Sequence, residues 1–495
     1  MKKQIIVIGA GVAGLSAGCY GQMNGYDVQI FEKDTQPGGL CTSWQRQGYT
    51  INGGLAMLAG SGPASSFYRL WQDLGVVPAI RMLDYECMII VEGSAGKKLC
   101  LYNDVDRLHK HLLELAPEDK EIIDPFIKAI RTFSKYNLPI EKPQELMTFF
   151  DKMKMMLTHF PLIKAMTHWR KVPVIKFIES LKNPFLREAF YQARALFPDN
   201  LPMAALEMFL AWGNIKAAGF PEGGALKFAR AMERRFLELG GIIHYNSRVE
   251  KVLVENGKAV GVKLAGGEAE HADFVISAAD GHSTIFNMLE GKFINDRIRH
   301  IYDDYPVGPA VVMVALGVSR LFEELPHAAF GIVFKLPKMI TIGGIEQQWL
   351  RPMIYNYDPS LSPPGKTLIR FVLPAEYDYW KVLSQDNARY QSEKKAIADK
   401  VVTLLELRFP GISKQVEILD VATPLTFERY TGNWRGSILG WDATTETFFM
   451  PLPKQLPGLE NFYMAGHWVN PGAGVPGSAL SGRAAIQHIK GGVVP

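Results

Sequence analysis

The 495-residue sequence is poor in cysteine, in net charge and in long apolar runs, and each shortage removes a class of protein. Its 4 cysteines, Cys19, Cys41, Cys87 and Cys100, show no C-x-x-C spacing. That argues against a zinc site or a disulfide framework and for a reducing compartment. A net charge of +4 is too small to point to nucleic acid. No stretch reaches the roughly 18 apolar residues that span a bilayer. The candidate from Ala328 to Ile345 is interrupted by Lys335, Pro337 and Lys338. No internal repeat or low-complexity tract is present. Met1-Lys2-Lys3 runs straight into an apolar strand and a glycine turn, so no signal peptide is expected and a cytoplasmic location is. What is left, 47% hydrophobic and 21% charged, is an ordinary globular composition. The length predicts two or more domains, since single cores stop growing near ~250–300 residues.

Against that background the first 33 residues stand out. Gln4 to Ile8 form an apolar run suited to a buried parallel strand, and Gly9, Gly11 and Gly14 follow it in G-x-G-x-x-G spacing. Gly9 permits the tight turn, Gly11 lets backbone approach a pyrophosphate, and Gly14 lets the following helix lie close to the sheet. Gly14, Gly18 and Gly21 continue a small-residue face along that helix, and Gly25 is a helix stop. Asp27 to Phe31 supply a second strand. Glu32 ends it about 20 residues beyond the glycines, where a carboxylate accepts hydrogen bonds from ribose hydroxyls. The whole unit reads as a dinucleotide grip with the helix amides facing the phosphates.

Further glycine pairs follow. Pro37-Gly38-Gly39-Leu40 and Gly53-Gly54 imply close backbone approach, although alone they read equally well as ordinary turns. Pro221-Glu222-Gly223-Gly224 opens a helix with Leu226, Ala229, Met232, Phe236 and Leu239 on one face, stopped by Gly240-Gly241. Ile242 to Tyr245 and Arg248 to Val254 read as strands, and Asn256-Gly257 as a hairpin turn into Ala259 to Leu264. Asp273 to Ser277 form another strand ending at Ala278-Ala279-Asp280. Near the carboxyl end, Phe462 to Ala465 form a short strand with Gly466-His467 at its tip, before a helix from Pro476 to Ile489. Gly472, Gly474 and Gly477 repeat the G-x-G-x-x-G spacing. No β-α-β unit fits before Pro495 and no ribose-binding acid follows, so a second nucleotide fold is rejected.

Met147 to Leu181 has a different texture. It is dense in Met, Phe, Leu and Ile, and Lys152, Lys154, Lys164, Arg170, Lys171, Lys176 and Lys182 outnumber Asp151 and Glu179. Phe149, Met153, Met156, Phe160 and Ile163 recur at spacings of four and three, with Pro161 and Pro173 dividing the stretch into short helices. Such a basic amphipathic cluster suits an anionic membrane surface or the lining of an apolar tunnel. An ordinary core with a solvated lysine face fits it as well.

The segments GAGVAGLSAG, PGGLCTSWQRQGYTINGG and AGHWVNPGAGVPGSALSGRAA together resemble the phytoene desaturase-like FAD-dependent oxidoreductases, which include carotenoid desaturases, carotenoid isomerases and retinol saturases. The resemblance spans both chain ends and recurs in the middle. It implies an α/β fold: a Rossmann-type, glutathione reductase-like FAD-binding domain with an inserted α+β substrate domain containing a helical, membrane-contacting region. The FAD-binding domain would be discontinuous, over 1–85, 221–290 and 423–495. The substrate domain would take 86–220 and 291–422, with 145–182 as the basic amphipathic part.

The resemblance also implies the FAD contacts: Gly9, Gly11, Ala13, Gly14, Glu32, Lys33, Gly38, Gly39, Leu40, Gly54, Val249, Ala278, Gly466, His467, Gly474, Val475 and Pro476. Val249 would meet the adenine through its backbone, where residue pattern alone makes it core. The helix start at Val475-Pro476 would direct its positive dipole at the flavin pyrimidine edge. The resemblance implies a cofactor contact for His467; a catalytic base would need substrate within hydrogen-bond reach and a pKa near working pH. His282, His300 and His327 read as surface or structural residues.

The expected substrate is an apolar isoprenoid or lipid, with carbon–carbon desaturation, saturation or isomerisation as the chemistry, peripheral membrane contact, no metal and no nucleic acid. Many relatives carry an aspartate and a histidine after the paired glycines, where this chain has Asn52 and Ala56. That leaves the reaction direction and any catalytic acid or base open. Amine oxidation on the same fold and a non-catalytic lipid or prenyl escort are the alternatives. The intact glycines and Glu32 argue against the escort, because a binding module need not keep a cofactor grip.

Overall fold

The computed structural model describes residues 2–93, 96–194, 197–448, 450, 452–472 and 474–491. At its centre is a five-stranded parallel sheet in the order Ile242–His244, Asp27–Phe31, Gln4–Ile8, Phe274–Ser277, Phe462–Met464. The register sets Val7 between Ile30 and Ile276. The first strand is apolar at every buried position because both its faces are covered. Ile5 and Val7 pack among the helices Val12–Met23, Gly224–Glu238 and Gly474–Lys490. Ile6 and Ile8 pack against Val249, Val252 and Val262 of a three-stranded antiparallel layer. Two-sided burial is what distinguishes such a run from an alternating one.

Close helix packing explains the small residues. A Cβ on Gly14 would lie 1.9 Å from the Gly9 carbonyl oxygen, and one on Gly482 would lie 2.2 Å from that of Ala13. The predicted Asn256-Gly257 turn has φ of 48° and 77°, the geometry of a two-residue hairpin loop, between Val249–Glu255 and Lys258–Leu264.

Beside this unit stand two four-stranded sheets. One is antiparallel, in the order Met353–Ile354, Thr367–Pro374, Val311–Val318, Val416–Ala422. The other runs Ile345–Leu350, Ile332–Ile342, Cys87–Glu92, Lys98–Tyr102. The interrupted stretch from Ala328 to Ile345 thus contributes a sheet strand. A helical layer from Val105–Leu115 to Met203–Asn214 closes the remaining side. Among the described residues no helix is long and apolar enough to cross a membrane.

The basic amphipathic region departs from one continuous face. Phe149–Thr158 begins with a capping box, in which Asp151 N–H donates to Thr148 Oγ1 and Thr148 N–H donates back to the Asp151 carboxylate. The helix stops at His159, and Phe160–Trp169 restarts with Pro161 in its first turn, where a missing N–H costs nothing. The break splits the expected stripe. Phe149, Met153, Met156 and Phe160 are exposed, whereas Ile163 turns inward.

Candidate functional site

Three glycine segments from distant parts of the chain meet at the start of helix Val12–Met23. Gly11 bridges Gly38 in parallel fashion, and Gly38 N–H donates to the Ala10 carbonyl at 2.9 Å. Gly466 N–H donates to Ser481 Oγ at 2.7 Å, at the wall formed with the terminal helix. Gly11 caps its helix without a side-chain acceptor, and the first turn carries no acid. Amides at the start of a helix whose own first turn carries no acid favour an anion.

Glu32 is buried at the tip of its strand, where its carboxylate accepts Ala10 N–H at 2.6 Å and Asp34 N–H at 2.9 Å. Burial pushes its pKa up against these two hydrogen bonds. Lys33 beside it is half-buried, donates to the Arg429 carbonyl at 3.0 Å, and is pulled down in pKa by burial. Both side chains are thus oriented by backbone partners.

These segments open into one cavity of about 1930 Å³. A small-ligand site is usually about 300–1,000 Å³, so the space is large enough for a cofactor and a second ligand. Every predicted contact except Gly14 lines it: Gly9, Gly11, Ala13, Glu32, Lys33, Gly38, Gly39, Leu40, Gly54, Val249, Ala278, Gly466, His467, Gly474, Val475 and Pro476. Gly14 lies behind the turn, where its lack of a Cβ serves packing. The terminal helix starts at Gly474, so Val475 and Pro476 sit in its first turn facing the cavity.

His467 stands edge-on to Trp468, with ring centroids 5.5 Å apart. Burial pulls its pKa down to about 4, which leaves a neutral imidazole at neutral pH. Asn52 is fully engaged. Its amide nitrogen donates to the Leu55 carbonyl at 2.6 Å and its side-chain oxygen accepts Ala225 N–H at 3.0 Å.

Beyond the glycine cradle the lining becomes a chamber of Met155, Ile163, Met166, Phe197, Met208, Phe209, Trp212, Phe330 and Met353. Met203–Asn214 presents Ala205, Met208, Phe209 and Trp212 at the spacing of one helix face. Thioethers and aromatic rings at this density make an adaptable apolar surface.

Several lining residues escaped the sequence. His282, expected at the surface or in a structural role, stacks on Trp434 at 4.5 Å and 16° in the cavity wall. Asp280, two residues past Ala278, accepts Ser283 and Trp434 N–H groups at 2.7 and 2.9 Å, and burial pushes its pKa up to about 6. Arg351 and Arg370 line the chamber from segments that carried no motif. A lone arginine inside the apolar run Thr367–Pro374 was the available signal for Arg370.

A family model described as flavin containing amine oxidoreductase matches residues 12–490. The chain is 26% identical over 508 residues to prolycopene isomerase 1 of an Oncidium hybrid cultivar, covering 96% of this chain and 82% of that protein. It is 25% identical over 512 residues to a lycopene-forming phytoene desaturase of Pseudescherichia vulneris, covering 97% and 98% respectively. An oxidoreductase structure from Methanosarcina mazei superposes with a TM-score of 0.63 at 19% identity, over 98% of this chain and 100% of that one.

Proposed function

Because this chain belongs to the flavin containing amine oxidoreductase family and is an FAD-dependent oxidoreductase of the phytoene desaturase-like type, we propose that it desaturates, saturates or isomerises an apolar isoprenoid or similar lipid. When bound, FAD supplies hydride exchange at its flavin ring. The residues that would hold it are Gly9, Gly11, Ala13, Glu32, Lys33, Gly38, Gly39, Leu40, Gly54, Val249, Ala278, Gly466, His467, Gly474, Val475 and Pro476, with Gly14 behind the turn letting the helix lie close. Segments 1–85, 221–290 and 423–495 form the cofactor unit, and 86–220 with 291–422 the substrate unit. The observation that carries this reading is the single cavity, which runs from the glycine cradle into the Met- and Phe-lined chamber. Met155, Met166, Met208 and Phe209 bind and orient the lipid there and exclude water. The neutral His467 acts by contact.

The two short helices Phe149–Thr158 and Phe160–Trp169 line the chamber with Met155 and Ile163. Their outer surface leaves Phe149 75% and Leu157 77% exposed, among exposed Lys152, Lys154 and Lys164. We assign this surface to peripheral contact of a cytoplasmic protein with an anionic membrane, from which the lipid enters. Anaerobic incubation of the FAD-loaded protein with polyenes and with amines tests the assignment. Flavin bleaching by polyenes is expected, and bleaching by amines alone would overturn it.

A further inference from the structure

The chamber wall carries two guanidinium groups, Arg370 on the antiparallel sheet and Arg351 in the connection leading into it, that no carboxylate among the described residues neutralises. Register across this sheet sets Met353 opposite Arg370 and Met313 opposite Val372, and all four line the cavity. Arg351 lies just outside this sheet, in the connection two residues before Met353, and lines the same cavity. Residues opposite or diagonal across two strands lie within reach of long side chains.

Arg370 is 2% exposed. One Nη donates to the Asn52 carbonyl at 2.7 Å, the other donates to the Met353 thioether at 3.4 Å, and the guanidinium faces the Tyr355 ring at 5.7 Å. Its Nε is buried and has no partner among the described residues. Arg351 donates one Nη to the Gln192 carbonyl at 2.6 Å, and its Nε is likewise buried and unpartnered. Burial, and then the nearby Arg194, pull its pKa down to about 10, so it still carries its charge at neutral pH. Arg194 has its own partner in Asp199 at 2.8 Å.

Among the described residues no carboxylate pairs with either arginine. Glu145, which lines the same cavity, is bound to Lys454. Asp358 is occupied by Gly223 N–H, Ser360 N–H and the Ser360 hydroxyl. A buried cation without a counter-charge costs several kcal/mol, and a wholly hydrocarbon substrate would leave that cost standing.

We propose that Arg351, supported by Arg370, is a specificity-determining seat for a carboxylate at one end of the lipid substrate, so that the enzyme prefers a polyene acid to the neutral hydrocarbon or alcohol. The proposal rests on the lipid reading above. A guanidinium fork matches the two oxygens of a carboxylate. The apolar remainder of the lipid then lies along Met353, Val372 and Met313 toward the cradle. The same two charges disfavour an ammonium substrate.

FAD-loaded protein titrated with retinoic acid, retinol and retinyl phosphate, followed by the perturbation of the flavin absorption band, tests the seat. Charge-assisted hydrogen bonds predict retinoic acid binding roughly 10- to 100-fold tighter than retinol. In Arg351→Gln with unchanged flavin content that preference should fall to about twofold or less, while retinol affinity stays within about threefold. If this variant loses flavin, Arg351→Lys replaces it, and the preference should drop at least about threefold because the fork is lost. Equal affinity for the acid and the alcohol, a preference that survives both substitutions, or tighter binding of the phosphate than of the carboxylate would each overturn the proposal. Anaerobic bleaching separates it from the underlying reading. Bleaching by lycopene as fast as by retinoic acid overturns the seat and leaves the lipid reading standing. Bleaching by putrescine and by no polyene overturns the lipid reading, and the affinity ratio still decides the seat.

Discussion

At the glycine end of the cavity Glu32, Lys33 and Asp280 are met by backbone at short range, whereas at the chamber end two arginines keep buried N–H groups without partners among the described residues. Glu32 receives two amide donors, Asp280 receives two more, and Gly466 is tied to Ser481. The chamber is walled by flexible thioethers and by Arg351 and Arg370, whose Nε atoms have none. The cradle is preorganised for one ligand, with helices so close that a methyl group does not fit. The chamber is adaptable in shape and selective only through charge. A protein that binds one fixed cofactor and one long, flexible substrate needs this division, since rigidity lowers the cost of binding the first and adaptability admits the second.

The largest break in that contrast comes from Gly14→Val. With a Cβ 1.9 Å from the Gly9 oxygen, the turn and helix cannot both persist, so the purified variant should be colourless or insoluble. Normal flavin absorbance in this variant would sink the close-packed picture. A smaller loss is expected from Glu32→Gln. It weakens two hydrogen bonds to a charged acceptor, worth about 1.5–3 kcal/mol each, and equilibrium dialysis should show FAD affinity lowered by at least about tenfold.

On the chamber side the effect should reverse in sign. Glu207 lies on the helix Met203–Asn214 away from the cavity, and both its carboxylate oxygens are buried without partners among the described residues. Burial raises its folded pKa well above the ordinary value. The sign follows from proton linkage: wild-type stability is full below the unfolded pKa and declines as pH rises toward the folded one. Glu207→Leu should therefore stabilise the protein by roughly 1–3 kcal/mol at pH 8 and flatten the difference between pH 5 and pH 8 in urea unfolding. A variant no more stable than wild type at pH 8 would mean that Glu207 is paired in solution.

The smallest effect on folding belongs to Phe149→Ser with Phe150→Ser. Both side chains are more than 70% exposed, so stability should stay within about 0.5 kcal/mol. Sedimentation with phosphatidylserine vesicles should nevertheless fall several-fold. Unchanged sedimentation would remove these helices from the membrane contact.

The cradle was legible because its signals are local. Gly9, Gly11 and Gly14 sit on one turn, Glu32 ends the next strand, and Asn256-Gly257 specifies its own hairpin. Each depends on backbone conformation within a few residues, so its spacing survives in the sequence. The basic amphipathic stretch was legible only in composition. A helix break at His159 rotates the second helix, and this carries Ile163 inward while Phe160 stays outside. His282 read as a surface or structural residue, and its place in the cavity wall was not legible because nothing near it in sequence announces Trp434, whose ring it stacks on.

By itself the sequence determined the first strand and turn, the small-residue helices and the family resemblance to FAD-dependent oxidoreductases, all of which follow from short-range sterics and from the apolar pattern of strands buried on both faces. Only the tertiary structure decided that Arg351, Arg370 and Met353 share one wall, that Glu207 has no partner among the described residues, and that the glycine turns open into the same space as the methionines. Those relations depend on registers and crossings between segments as much as hundreds of residues apart, and no local spacing encodes which buried charge meets a partner and which does not.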